Sequence, residues 1–326
     1  MNRIMEFIED LGRTPVIPLL GFPGLRMTGR TILEGVTSAR AQFLAVEQNA
    51  LAFQPDALIH IMDLTVEAGS LGAVIRFPEN DPPSVLEHTL KLPEQLDLVH
   101  PADPQKDGRM NVFIETVRLM KKNFDVPVGA YVIGPYTLAG EMMKVENTLR
   151  ATIKDPDYLH RVLSRMTEAI IPYARALVHA GADILTILEP TASMLSPSQF
   201  RDFSGRYVKD IFHSSESAMT VLHICGDTTR ILPEMAATGA DGLSVDWAVK
   251  LDQAAEDLPG SVIIGNIDPV RVILNGSPET VSERTMELRV AMKDHPNFIL
   301  STGCDLPPDT PSKNILAFME AGRANI

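Results

Sequence analysis

The chain holds two cysteines, Cys225 and Cys304, and the first stands two positions from a histidine in His223-Ile224-Cys225. Along an extended strand, residues two apart point to the same side. The imidazole and the thiolate can therefore meet on one ion, and Cys304 can arrive from elsewhere in the fold as a third ligand. One nitrogen, two sulfurs and an open position suit Zn²⁺ in a catalytic site. A structural zinc more often takes two close pairs and four protein ligands. Asp246 is the candidate for a labile fourth ligand. The plain alternative is a satisfied core histidine beside two buried, inert thiols. Gly226 and Gly303 flank the cysteines. Glycine there lets backbone come close to a ligand, though it also simply ends strands. Two cysteines exclude a disulfide scaffold.

A zinc bound by two thiolates is electron-rich and a poor Lewis acid for splitting water. It is better suited to binding an incoming thiol and holding it deprotonated at neutral pH. Such a thiolate can attack an activated methyl group.

Something must carry these residues to one place. Eight short aliphatic or β-branched runs end in Gly, Asp or Pro, or just before them: Pro15–Leu20, Ala57–Met62, Val126–Ile133, Asp183–Leu188, Met219–Ile224, Gly242–Val245, Val262–Gly265 and Phe298–Ser301. Segments of helical period lie between most of them, at Thr31–Phe53, Asp107–Lys122 and Pro156–Ala180. The third has an apolar stripe of Tyr158, Val162, Met166, Ile170, Tyr173 and Leu177. Residues 1–12 read as an amphipathic N-terminal helix, and Thr310-Pro311-Ser312 opens a last one. Alternating strands and helices with apolar strands predict a parallel sheet covered by helices. Eight such units fit one (β/α)₈ TIM barrel domain over residues 1–326, with a doubly wound open sheet as the competitor. Residues 77–106, which contain Pro78, Pro82, Pro83 and Pro93, read as an irregular excursion forming a lid or an edge of the site.

In a barrel the strand C-terminal ends face one shared site. Asp63, Glu189, His223, Cys225, Asp246, Asn266, Asp268, Cys304 and Asp305 all fall at such ends. Glu189 and Asp246 are the candidate catalytic carboxylates, with Glu189 as a proton acceptor or hydrogen-bond partner. Glu67 is a substrate contact or a helix N-terminal acid. Asp305 is a partner to the metal ligands or a loop cap. His60 and His213 read as structural. Met62, Met142, Met143 and Met194 read as adaptable core, or as apolar surface for a flat ring or a partner.

Lys+Arg is 29 against 42 Asp+Glu, a formal net charge of −13. That balance argues against a nucleic-acid groove or an anionic membrane as partner. No apolar run reaches the roughly 18 residues of a membrane span. The start carries acids inside its apolar stretch, unlike a signal peptide. The expected location is the cytoplasm.

Over its whole length the chain resembles the uroporphyrinogen decarboxylase superfamily. The shared marks are Gly134-Pro135-Tyr136-Thr137-Leu138-Ala139, residues 239–246 (Gly-Ala-Asp-Gly-Leu-Ser-Val-Asp) and Gly265-Asn266-Ile267-Asp268-Pro269. Within it the chain is most similar to the corrinoid-dependent methyltransferase branch, which includes methylcobamide:coenzyme M methyltransferases. His223, Cys225 and Cys304 match that branch's His-x-Cys…Cys zinc motif. Residues 65–72 and 301–311 are similar to it as well. The resemblance implies a (β/α)₈ barrel, Zn²⁺, and a corrinoid such as methylcobalamin carried by a partner protein in trans. Methyl would move between that corrinoid and a small molecule, either a thiol acceptor such as coenzyme M or a donor such as a methyl ether or methylamine. Tyr136 and Asn266, at the mouth, are the candidate residues against the corrinoid, with core packing the equal alternative for Tyr136. The alternative within the superfamily is a metal-free decarboxylase-type lyase acting on a tetrapyrrole. Arg26-Met27-Thr28-Gly29-Arg30 echoes its arginine cluster, although the Tyr-Leu-Pro that usually follows is missing, and Asp63 falls where its catalytic aspartate would lie.

Overall fold

Strands buried on both faces read as unbroken apolar runs, and five of the expected runs form such strands. The computed structural model describes residues 2–325. Its main sheet has seven strands, all parallel: β1 (Leu58–Ile59), β2 (Val128–Ile133), β3 (Ile184–Leu188), β4 (Met219–Ile224), β5 (Gly242–Val245), β6 (Val262–Ile267) and β7 (Phe298–Thr302). Every residue of β2, β3, β5, β6 and β7 is buried. Strand order follows chain order from one edge to the other. A doubly wound sheet would reverse that order at a switch point, so that competitor is excluded.

The first expected strand differs. Pro15–Leu20 makes only one isolated parallel bridge, Val16 to Leu300. The Ile17 N–H donates to Leu300 O at 2.9 Å, and on the other side the Asp56 N–H donates to Val16 O at 3.1 Å. Pro15 and Pro18 have no N–H, so a continuous ladder cannot run through them. The segment thus lies between β7 and the residues leading into β1 without becoming a regular strand. β1 itself keeps only two residues.

The N-terminal helix runs from Arg3 to Leu11, begun by the Asn2 side chain accepting from the Ile4 and Met5 N–H groups and ended at Gly12, φ 67°. Met1 lies outside the described residues. Ile4 and Phe7 project beside Ile184, Met219 and Val221, at the N-terminal ends of β3 and β4, and so close the bottom of the sheet's concave interior. That interior retains a cavity of about 40 Å³, lined higher up by Tyr131, His223 and Ser244.

The expected helix over 31–53 is two helices, Ile32–Thr37 and Ala39–Phe53. Ser38, extended at φ −135°, ends the first and caps the second by accepting from the Ala41 N–H. Helix Pro156–His179 buries all six residues of its apolar stripe. The excursion is more ordered than its prolines suggest. Val74–Arg76 and Ser84–Glu87 pair as an antiparallel hairpin, followed by a short 3₁₀ helix at Pro93–Leu98. Among the described residues no helix is long and apolar enough to cross a membrane.

Candidate metal centre

His223 is the penultimate residue of β4 and faces inward, and Cys225 follows it two residues later. Gly226 (φ 87°) then turns the chain, in a conformation that L side chains rarely adopt. Cys304 arrives two residues after β7. The sheet places β5 and β6 between the two cysteines in strand order, yet its curl brings their thiols together. His223 Nε2 lies 3.2 Å from Cys225 Sγ, and Cys225 Sγ lies 3.1 Å from Cys304 Sγ. One ligand atom from each of the three residues falls within 4.8 Å of the others. His223 is buried, and both cysteines are partly open to the strand C-terminal face.

The ring of His223 is oriented by its neighbour. Ser244, directly opposite it on β5, has its Oγ 2.8 Å from Nδ1. With Nδ1 engaged there, Nε2 is the nitrogen turned toward the sulfurs. A metal-bound histidine needs that arrangement, because the partner at the far nitrogen sets tautomer and angle.

Two thiols this close oppose each other's ionisation, so the second proton is harder to remove than the first. Cys304 is lowered to about 4 because the Cys225 thiol donates to its thiolate and His223 assists, whereas the same hydrogen bond and burial push Cys225 up. A divalent cation is the species that lets both ionise. Zn–S bonds of about 2.3 Å in a tetrahedron place two sulfurs roughly 3.8 Å apart, a small side-chain rotation from the observed spacing. The donor set of one imidazole and two thiols fits Zn²⁺. Burial, with a contribution from the adjacent Cys304, raises the Asp305 carboxyl to about 8, although it accepts from the Gly21 N–H.

The other expected site residues are placed differently. Asp246 is not among the three clustered ligands: its Oδ2 accepts from the Gly226 N–H and its Oδ1 from the Trp247 N–H, each at 2.8 Å. Each oxygen thus accepts one backbone N–H and keeps a second lone pair. Glu189 is fully buried and caps the helix Pro135–Met143, accepting from Tyr136 N–H (2.9 Å), Thr137 N–H (2.8 Å) and the Ser204 hydroxyl (2.9 Å). A carboxylate at a helix N-terminus has both orphan N–H groups and the dipole to satisfy it, so its oxygens are committed away from the cysteines. Tyr136 is wholly buried, with no face left for a corrinoid. Asn266 donates its amide to the carbonyls of Asp246 and Val249, each at 2.8 Å, and so closes the loop after β5.

Asp63 forms an ion pair with Arg109 at 2.6 Å, its own side chain having no exposure, and accepts from Thr65 N–H and Oγ1. Arg26 pairs with Asp309, and Arg30 lies 3.8 Å from Glu34, so the arginine cluster is matched by carboxylates of the same chain. Glu67 is buried and accepts from the Ile133 N–H at 2.9 Å, and burial raises its carboxyl to about 7. His60 is core, as expected: Nε2 accepts from the Tyr131 N–H and Nδ1 donates to Ile61 O. Met142 and Met143 are buried, whereas Met194 is exposed.

Two residues near the centre escaped sequence reasoning. Ser244 could be found only through strand register, which pairs it with His223. Tyr131 lines the same interior as His223 and feels Asp305 and both cysteines, which together with burial raise its phenol. A lone tyrosine in an apolar strand carries no local signal.

The sequence profile of the family described as Uroporphyrinogen decarboxylase (URO-D) matches residues 3–324. The methylcobamide:CoM methyltransferase MtaA of Methanosarcina barkeri is 35% identical over 270 residues, 79% of this chain and 76% of the relative. The methylcobamide:CoM methyltransferase MtbA of Methanosarcina acetivorans is 30% identical over 268 residues, 80% of this chain and 77% of the relative. A solved structure, a methyltransferase from Methanosarcina mazei, superposes with a TM-score of 0.86 at 29% identity, covering 94% of this chain and 93% of that one.

Proposed function

The chain belongs to the uroporphyrinogen decarboxylase family, and from that premise we propose that it is a zinc-dependent methyltransferase. In this reading it moves a methyl group between a corrinoid, carried by a partner protein, and a small thiol acceptor or methyl donor. The relatives named for methylcobamide and CoM, at 35% and 30% identity, support the corrinoid and the thiol direction. The observation that carries the reading is the meeting of His223, Cys225 and Cys304 at the strand C-terminal face. We also read Pro15–Leu20, bonded on both sides, as the eighth stave that closes the sheet into one barrel domain.

His223 Nε2 and the sulfurs of Cys225 and Cys304 would hold the ion, and Ser244 would orient the imidazole. When bound, Zn²⁺ lowers the pKa of an incoming thiol so that it is held as a thiolate at neutral pH. The two cysteine thiolates keep the centre electron-rich, which favours a nucleophilic sulfur over activated water. Ile17, Leu19 and Ile299 line the apolar interior below the ligands and exclude bulk water from that side. The open face would let the methyl pass in line, its bond to the departing nucleophile breaking as its bond to the incoming one forms.

Purified protein should contain about one zinc per chain, and Cys304→Ala should lose it. Incubation with methylcobalamin and a panel of thiols, followed by the corrinoid absorption spectrum, tests the transfer. A metal-free chain that decarboxylates a tetrapyrrole at full rate would overturn the proposal.

A further inference from the structure

Asp246 lies outside the group of three clustered side chains, and its contacts point to another role. One carboxylate touches the residues beside both cysteines. Its Oδ2 holds the N–H of Gly226, the residue after Cys225, at 2.8 Å. Its Oδ1 holds the Trp247 N–H at 2.8 Å and lies 2.7 Å from where a β-carbon on Gly303, the residue before Cys304, would stand. The Cys304 loop thus packs directly on the carboxylate, and only glycine allows it. The Asp246 main chain is itself fastened, its carbonyl accepting from Asn266 at 2.8 Å. The group is 9% exposed, so its two bonds to backbone N–H are charge-assisted and shielded from solvent.

We propose that Asp246 is the positioning residue of this centre: its carboxylate, held by the Trp247 N–H, accepts the Gly226 N–H of the Cys225 loop and forms the surface on which Gly303 seats the Cys304 loop, and is not itself a ligand. The inference rests on the proposed zinc centre. It extends the role of β5, whose Ser244 orients His223 while Asp246, two residues on, sets the sulfurs. Groups that hold metal ligands in place typically contribute about 10- to 100-fold to metal affinity.

The test uses the full chain loaded with Zn²⁺ or Co²⁺. Asp246→Asn is isosteric, but it turns one acceptor oxygen into a donor, so one of the two N–H groups meets another N–H. Zinc affinity, measured by competition with a chromophoric chelator, should fall by about 10- to 100-fold. The thiolate-to-cobalt charge-transfer band of the Co²⁺ protein should shift. Gly303→Ala leaves the carboxylate in place but pushes the Cys304 loop off it. It should lower affinity comparably, and the double variant should lose less than the two single losses combined. A true fourth ligand would instead show as one nitrogen or oxygen donor lost from the zinc-edge X-ray absorption spectrum in Asp246→Asn, which overturns the proposal. Wild-type zinc affinity and an unchanged Co²⁺ spectrum in Asp246→Asn also overturn it. If that variant does not fold, unchanged affinity in Gly303→Ala is decisive against it. A wild-type chain that takes up no zinc at all overturns the metal centre itself, a result distinguishable from failure of the positioning role alone.

Discussion

Cys225 Sγ and Cys304 Sγ stand 3.1 Å apart across a separation of 79 residues in the chain. A curled parallel sheet brings this about, because each strand delivers its C-terminal end to the same face whatever the sequence distance between strands. The contact joins two thiols that ordinary chain statistics would keep apart, and it puts them beside an imidazole that is already oriented.

Loss of any one of the three grouped side chains should abolish stoichiometric zinc. Cys225→Ala, Cys304→Ala and His223→Ala should each weaken binding by more than the roughly 100-fold upper range for supporting contacts. Metal content after dialysis against a chelator checks this. Retention of about one zinc in Cys304→Ala would show that the sulfur is not a ligand.

Zinc uptake should release protons, and affinity should rise with pH. Cys304 is already held low by the Cys225 thiol, at about 4, while Cys225 is pushed up. The ion takes both sulfurs as thiolates, so it must displace the proton that Cys225 keeps. Calorimetry in buffers of different ionisation enthalpy should find about one proton per zinc. A value near two would mean that both thiols keep their protons in the metal-free chain.

Glu189→Gln should leave zinc content unchanged and lower stability. The substitution keeps the shape but replaces one acceptor oxygen among the contacts to Tyr136, Thr137 and Ser204. An expected cost of about 1–3 kcal/mol is measurable by denaturant unfolding. Loss of methyl transfer with full stability would return Glu189 to a catalytic role.

Glu67 should make the protein less stable as pH rises. Burial lifts its folded value from 4.5 to about 7, so the folded state holds the proton more tightly than the unfolded chain does. That advantage is complete below about pH 4.5 and is lost as pH climbs through 7. Glu67→Gln, which stays neutral, should match the wild type near pH 5 and exceed it above pH 8 by up to about 3 kcal/mol. Parallel unfolding curves at all pH values would refute this.

Arg109→Ala should destabilise the fold by about 3–5 kcal/mol, since it leaves Asp63 buried without its cation. The same guanidinium lies over the Phe77 ring at 4.8 Å and so ties the hairpin to the sheet. Adding Asp63→Asn should recover part of the loss, as measured by urea unfolding of the single and double variants.

Local pattern was enough for much of this protein. Strand and helix identity are set by periodicity over a few residues, and β4 and β5 coincide residue for residue with the runs Met219–Ile224 and Gly242–Val245. The spacing of His223 and Cys225 likewise implies a shared side without reference to the rest of the chain. Tertiary structure decided what each carboxylate does. Asp246 and Glu189 look alike at two strand ends, yet one accepts from the N–H of Gly226 beside Cys225 and the other caps a helix, because hydrogen-bond partners come from distant segments. It also decided that Ser244 meets His223, through a strand register that no local window contains, and that Tyr136 is sealed in the core. Which atoms meet across a sheet depends on curl, register and burial of the whole chain, and these are non-local quantities.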